Sequence, residues 1–234
     1  MREGSDPFAI QNTRFIQLFR LNKDMAQYVL NRILPVLNQG NNPVAIPSIL
    51  KFFGTLSFYA SGSHQRVIGQ SFNLSMSQPS LSRAIQDVTI AIINTLSDEW
   101  VRFPRSAEEK DQIKARFMEA RHFPGVIGAV DCTHLEIVCP IEDEHIYFNR
   151  KGYHSKNCQI ICDHDLKILN INAGHGGASH DSYIWRNSAV RIELEACYQR
   201  GKRTHSSDNV FIIAIVTSWM ALERLGCDMD RLKL

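Results

Sequence analysis

From Gly125 to Val138 the chain reads GVIGAVDCTHLEIV. Val126, Ile127, Ala129 and Val130 form a short run that is apolar on both faces, the pattern of a central strand covered on both sides. Asp131 stands where the run stops being apolar, and Cys132, Thr133 and His134 follow it. An ionised carboxylate at the end of a buried strand carries a large desolvation cost unless something positive offsets it. A divalent metal, an arginine or a row of backbone N–H groups would serve. A carboxylate that caps the turn after the strand fits the spacing equally well.

Downstream, Pro140 to His145 is an acidic loop holding Glu142, Asp143 and Glu144. The sign then reverses in FNRKGYHSKN, Phe148 to Asn157, where Arg150, Lys151, His154 and Lys156 surround Gly152. A basic, glycine-containing loop beside a carboxylate suits phosphate contact, and a solvated hairpin rim has the same composition. Cys158 to Cys162 and Lys167 to Ala173 read as two strands of a hairpin, with Asp163-His164-Asp165 as the turn.

Cys132, His134, Cys158, Cys162 and His164 crowd one segment and invite a zinc reading. Geometry opposes it. Two cysteines four positions apart on a strand are separated by roughly 13 Å. A zinc ion needs each sulfur at about 2.3 Å. Farther on, GHGGASHDS, Gly174 to Ser182, leads into a short helix. Its glycines permit close backbone approach. His180 and Asp181 stand at the helix start, where Asp181 is expected to satisfy first-turn N–H groups or, as the alternative, to orient His180. A second helix follows Ser188, with Val190, Leu194 and Cys197 inward and Gly201 at its end.

Upstream the chain reads as helical. Phe15, Leu18 and Phe19, then Met25, Tyr28, Val29 and Ile33, recur at helical spacing, with Pro35 limiting the second helix. Asn38 to Pro47 is a loop, and Ser48 opens an apolar helix that Gly62 ends. Gln65 to Phe72 is a short helix, and Asn73 to Met76 a short connection. Ser77 then caps a longer helix with Pro79 in its first turn and Leu81, Ile85, Val88 and Ile92 as one stripe. Short helix, tight turn, longer helix is the helix-turn-helix pattern. It leaves Ser80, Ser82, Arg83 and Gln86 on the exposed side near the N-terminal end, where such a helix meets bases or phosphates. Two helices packed for stability alone share this pattern. Ala107 to Arg121 is charged on most faces, with a narrow apolar side of Ile113 and Phe117, and reads as a connecting helix.

The whole chain has 234 residues, 44% hydrophobic and 21% charged, the balance of an ordinary globular protein. A net charge of +2 makes any basic surface a local one. Arg2, Glu3 and Asp6 interrupt the N-terminus, so no signal peptide is expected, and six cysteines read as reduced thiols. The apolar run Val210 to Leu222 is shorter than the ~20 residues a bilayer requires, so no membrane partner is expected.

GVIGAVDCTHLEIV, NRKGYHSKNCQIICD and GASHDSYIWRNS, in this order, resemble the nuclease domain of Harbinger-type (PIF/Harbinger) transposase-derived proteins. FRLNK, the Gly62 turn, SQPSLSRAIQDV and VRFP resemble the family's helical N-terminal part. The likeness spans about residues 12 to 195. It implies an α/β fold, an RNase H-like mixed sheet flanked by helices, preceded by an all-α, helix-turn-helix-like domain. It also implies a nuclease whose DDE carboxylates hold Mg²⁺ or Mn²⁺ to hydrolyse DNA phosphodiesters. A Myb-like DNA-binding partner and a nuclear location, shared with the cytoplasm, come with the resemblance.

The family's first triad Asp maps onto Asp131, the one catalytic and metal-binding residue assigned. His134, His180 and Asp181 fall in family motifs without a defined role, and Ser80, Ser82, Arg83, Arg150, Lys151 and Lys156 are the nucleic-acid candidates. The family's Gly-Asp-Ser-Gly-Tyr-Pro type motif and its later helix with the triad Glu find no match. Val210 to Leu222 contains no acidic residue, and Asp163, Asp165 and Asp181 are the available substitutes. Expected from this are a helical domain over 1–104, a connecting helix over 105–124, a partial nuclease domain over 125–201 and a divergent tail over 202–234, with the sheet incomplete at the C-terminal end. The expected activity is an impaired nuclease, with a catalytically inactive DNA- or protein-binding remnant as the alternative.

Overall fold

The computed structural model describes residues 6–37, 45–70, 74–204 and 212–215. The chain divides into two compact units, one within residues 1–99 and one within residues 100–230.

The first unit is helical: α1 (Asn12–Phe19), α2 (Lys23–Ile33), α3 (Ser48–Ser61), α4 (Gln65–Gly69) and α5 (Gln78–Trp100). The stops are those expected. Asn22 caps α2 by accepting from Met25 N at 2.8 Å, and Gly62 ends α3 in the left-handed region at φ 59°. Phe53 is fully buried in an aromatic cluster, with ring centroids 5.6 Å from Phe15 and 4.7 Å from Phe19. The α5 stripe buries Leu81 and Val88 completely, and Ile85 and Ile92 pack against the same core. Gly69 allows the turn after α4 to close, because Met76 N donates to Gly69 O at 2.7 Å and a Cβ on Gly69 would stand 2.6 Å from Met76 O.

The second unit starts with α6 (Ala107–Arg121), whose capping box is complete. Ser106 Oγ accepts from Glu109 N at 3.1 Å, while Glu109 Oε2 accepts from Ser106 N at 3.2 Å and Arg105 N at 2.8 Å. Phe117 is buried, Ile113 packs on the core of this unit, and α6 lies against β1 (Val126–Glu136). The charged helix read as a connector is therefore a packed element of the unit. Even Lys110 is buried, its methylene stem covered with the rest of that side.

Beyond β1 come α7 (Glu144–Tyr147), β2 (Ser155–Cys162), β3 (Ile168–Gly176), α8 (Asp181–Arg186), α9 (Ala189–Thr204) and β4 (Ile212–Ile215). The sheet order is β3-β2-β1-β4. β1, β2 and β3 form an antiparallel meander, and β4 lies parallel to β1 on its other side. This is the RNase H-like mixed sheet, with α8 and α9 carrying the chain from the β3 edge across to the β4 edge. Ile127, Val130, Ile161, Leu169, Phe103 and Val190 form the core.

Asp131 does not end its strand. β1 runs on to Glu136 because β2 pairs with all of its second half, from Asp131 opposite Ile160 to Glu136 opposite Ser155. The last described pair with β4 is Val130 opposite Ile215. Burial changes at the same place: Val126 to Val130 are buried, and Asp131 to His134 are half-buried. Among the described residues no helix is long and apolar enough to cross a membrane. The remainder of the Val210 to Leu222 run lies outside the described residues.

Candidate metal and nucleic-acid site

Asp131 directly follows the last described pair of β1 with β4 and stays paired with Ile160 of β2. Its Oδ1 accepts from Cys132 N at 2.8 Å. Desolvation raises its carboxyl above the ordinary range, that one N–H pulls it back, and the Asp181 carboxylate raises it further. The neighbouring Cys132 thiol is pushed up to about 12 by burial and then by Asp181 and Asp131. It is a neutral thiol at physiological pH and a poor ligand there.

Asp181 is brought to Asp131 by a residue that the sequence reading passed over. Asn157, on β2 opposite His134, is buried, and its Nδ2 donates to Asp181 Oδ1 at 2.8 Å and to Ser179 O at 2.9 Å. Among the described residues its Oδ1 has no hydrogen-bond partner. An asparagine directly ahead of the apolar Cys158 to Cys162 run was the available signal. Asp181 is not the cap expected of it. His180 takes that place: its Nδ1 accepts from Ser182 N at 3.3 Å and lies 3.1 Å from Ser182 Oγ. An imidazole ahead of the helix satisfies the donor and frees the Asp181 carboxylate for Asn157.

His134 Nδ1 lies 2.9 Å from Ser155 Oγ, which also accepts from the buried Asn149 Nδ2 at 2.8 Å. Asn149 folds the basic loop as well, its Oδ1 accepting from Lys151 N at 2.9 Å while Gly152 adopts φ 87°. Arg150 and Lys151 are thereby turned out to solvent. Lys156 is partly buried and donates to Ala173 O at 3.3 Å. Gly176 and Gly177 lie against Ile146 and Tyr147 so closely that a Cβ on either would collide with a backbone carbonyl. Asp163 belongs to the hairpin turn, its Oδ1 accepting from Asp165 N and Lys167 N, both at 2.9 Å.

In the helical unit, Ser82 and Arg83 are exposed on the first turns of α5. Ser80 is partly buried, its N donating to Ser77 Oγ at 3.3 Å and its hydroxyl 2.8 Å from the same atom. Ser80 and Arg83 line a groove of about 250 Å³ with Lys51 and Asp87, which form an ion pair at 3.8 Å.

Carboxylate oxygens, here half-buried on Asp131 and exposed on Asp181, are the hard donors that Mg²⁺ or Mn²⁺ takes. Asp131 and Asp181 therefore fit such an ion. β4 adds nothing to them, since Ile212–Ile215 contains no carboxylate.

Residues 130–223 match the model of the DDE superfamily endonuclease family. Over this segment the chain is similar to Harbinger transposase-derived nucleases. Proteins named "Putative nuclease HARBI1" are similar to it. The one from Rattus norvegicus is 33% identical over 151 residues, 64% of this chain and 42% of its own length. The one from Homo sapiens is 33% identical over 152 residues, 65% of this chain and 43% of its own. The one from Xenopus laevis is 31% identical over 172 residues, 72% and 48%. The matched segment thus spans less than half the length of each of these relatives. No solved structure matches the chain. Nucleases of the DDE superfamily generally work with divalent metals.

Proposed function

We propose that the α/β unit is the metal-binding half of a Harbinger-type nuclease directed at DNA phosphodiesters. Asp131 is the metal ligand, and Mg²⁺ or Mn²⁺ is the ion. The observation that carries this is that buried Asn157 holds the Asp181 carboxylate where its charge acts on half-buried Asp131. In this chemistry the bound cations activate water and stabilise the departing oxygen. The chain's own residues do the rest. Asp131 and Asp181 supply negative oxygens, Asn157 fixes Asp181, and exposed Arg150 and Lys151 offer positive charge to phosphates. His134, oriented by Ser155, lies three residues further along β1.

Two carboxylates hold a two-ion site weakly, because hard cations want several protein oxygens or substrate phosphates. Cleavage by this chain is therefore expected to be slow or absent, although the ion binds. The test is Mn²⁺ titration of the full chain beside a plasmid-nicking assay in Mg²⁺ or Mn²⁺. Expected are Mn²⁺ binding that Asp131→Ala abolishes and little nicking. Mn²⁺ binding unchanged by Asp131→Ala would overturn the assignment.

A second reading rests on Ser82 and Arg83, exposed on α5 after a short helix and a turn. It is a catalytically inactive, nuclear or cytoplasmic remnant that touches DNA, or a Myb-like partner already on DNA, through the helical unit. Salt-dependent binding of duplex DNA that is lost in Arg83→Ala and kept in Asp131→Ala favours it.

A further inference from the structure

The connection between β1 and β2 carries a second set of metal-ligating atoms of different chemistry. Cys139 Sγ, a carboxylate oxygen of Glu144 and a ring nitrogen of His154 all lie within 4.8 Å of one another. His154 Nε2 is already 2.9 Å from Glu144 Oε1. Cys139 and Glu144 are exposed, so an ion has open access from solvent, and His154 is half-buried.

Three separate pieces of backbone fix these side chains. Cys139 follows the point where Ile137 N donates to His154 O at 3.0 Å, so the strand pairing itself brings position 139 near position 154. Glu144 opens α7, which Ala178 N anchors by donating to Ile146 O at 3.0 Å. His154 pairs with Phe148 in an isolated bridge, and its ring stands at 5.3 Å from the Phe148 ring, edge to face. The ligands are thus carried by hydrogen-bonded chain, and their meeting is a product of the fold.

We propose that Cys139, Glu144 and His154 bind one Zn²⁺-like divalent transition-metal ion that clasps the β1–β2 connection, with water in the fourth position. Thiolate, imidazole and carboxylate together suit zinc or cobalt and are wrong for magnesium, which takes oxygens. A tetrahedral ion with bonds of about 2.0–2.3 Å spaces its ligands roughly 3.3–3.8 Å apart. The three atoms need a closure of about an ångström, within the reach of side-chain rotation. The clasp would hold the acidic segment against the start of β2 and so fix the base of the loop presenting Arg150 and Lys151. This is independent of the Asp131 site and of any nuclease activity.

The experiment is Co²⁺ titration of the full chain, stripped of metal and kept reduced. Expected is a thiolate-to-cobalt charge-transfer band in the near ultraviolet that saturates with one ion at this site and is displaced by one equivalent of Zn²⁺. Cys139→Ser removes the band. Glu144→Gln and His154→Gln weaken Co²⁺ binding about tenfold or more. Asp131→Asn leaves the charge-transfer band unchanged. Far-ultraviolet circular dichroism melts confirm that each variant is folded. No band in the folded wild type, a band that survives Cys139→Ser, or one that disappears in Asp131→Asn would overturn the proposal.

Discussion

The two units of the chain bury different things. The helical unit buries Phe15, Phe19, Leu30, Ile33, Phe52, Phe53 and Leu81, and its one buried polar side chain among the described residues, Thr55, donates to Lys51 O one turn earlier. The α/β unit has a smaller apolar core and buries Asn149, Ser155, Asn157, Gln159 and Ser188 as well. Buried polar groups cost stability unless each is paired, so they persist where pairing positions something. Here Asn157, Ser155 and Asn149 position the carboxylate of Asp181, the ring of His134 and the backbone of the basic loop. The helical unit is built to stay folded, and the α/β unit is built to hold groups in place at some expense to its own stability.

That contrast can be broken in order of expected effect. Phe53→Ala removes the ring at the centre of the aromatic cluster and should cost about 3–5 kcal/mol by denaturant unfolding of the helical unit. Mn²⁺ binding by any protein that remains folded should be unchanged, and a joint loss would mean that the units are not separable in this sense. Asn157→Ala strands the Asp181 carboxylate and the Ser179 carbonyl. It should cost about 1–3 kcal/mol and weaken Mn²⁺ binding together. Loss of stability with metal affinity intact would make Asn157 a packing residue alone.

Ser106→Ala should cost about 1 kcal/mol through the open first turn of α6. Its partner Glu109 has a carboxyl held below the ordinary range by the Arg105 and Ser106 N–H groups. A depressed folded-state value means a contribution that is present above the unfolded-state value and lost as pH falls through the folded one. Glu109→Gln should therefore flatten the acid side of the melting-temperature profile and leave a smaller difference from wild type at low pH. The smallest effect on folding belongs to Arg83→Ala, within about 0.5 kcal/mol. If α5 meets DNA, the same change reduces the salt slope of binding by about one.

Much of this was legible in the letters because it depends on neighbours in sequence. The stripe of α5, the Gly62 stop, the hairpin with its Asp163 turn and the buried start of β1 all follow from periodicity and turn chemistry. The failures share one cause, which is that a partner distant in sequence decided the outcome. β1 outlasts its apolar run because β2 pairs with it through Glu136. Asp181 yields the cap to His180 because Asn157, twenty-four residues back, engages it. Cys139, Glu144 and His154 come together only when the β1–β2 connection closes, and their spacing follows no familiar metal motif. Arg150 and Lys151 were singled out by charge, but the asparagine that aims the loop outward carries none.

Gly177 N donates to Ser155 O, and Gly176 passes beneath the carbonyl of Ile146, so the end of β3 is seated against both β2 and α7 with no clearance. Any side chain at 176 or 177 would act as a wedge. It would pry α7 from its seat, shift Ser155 away from His134 and tilt the start of α8. One added methyl group would thus be felt at both ends of the unit, and this seam tolerates no substitution that the rest of the sheet could absorb.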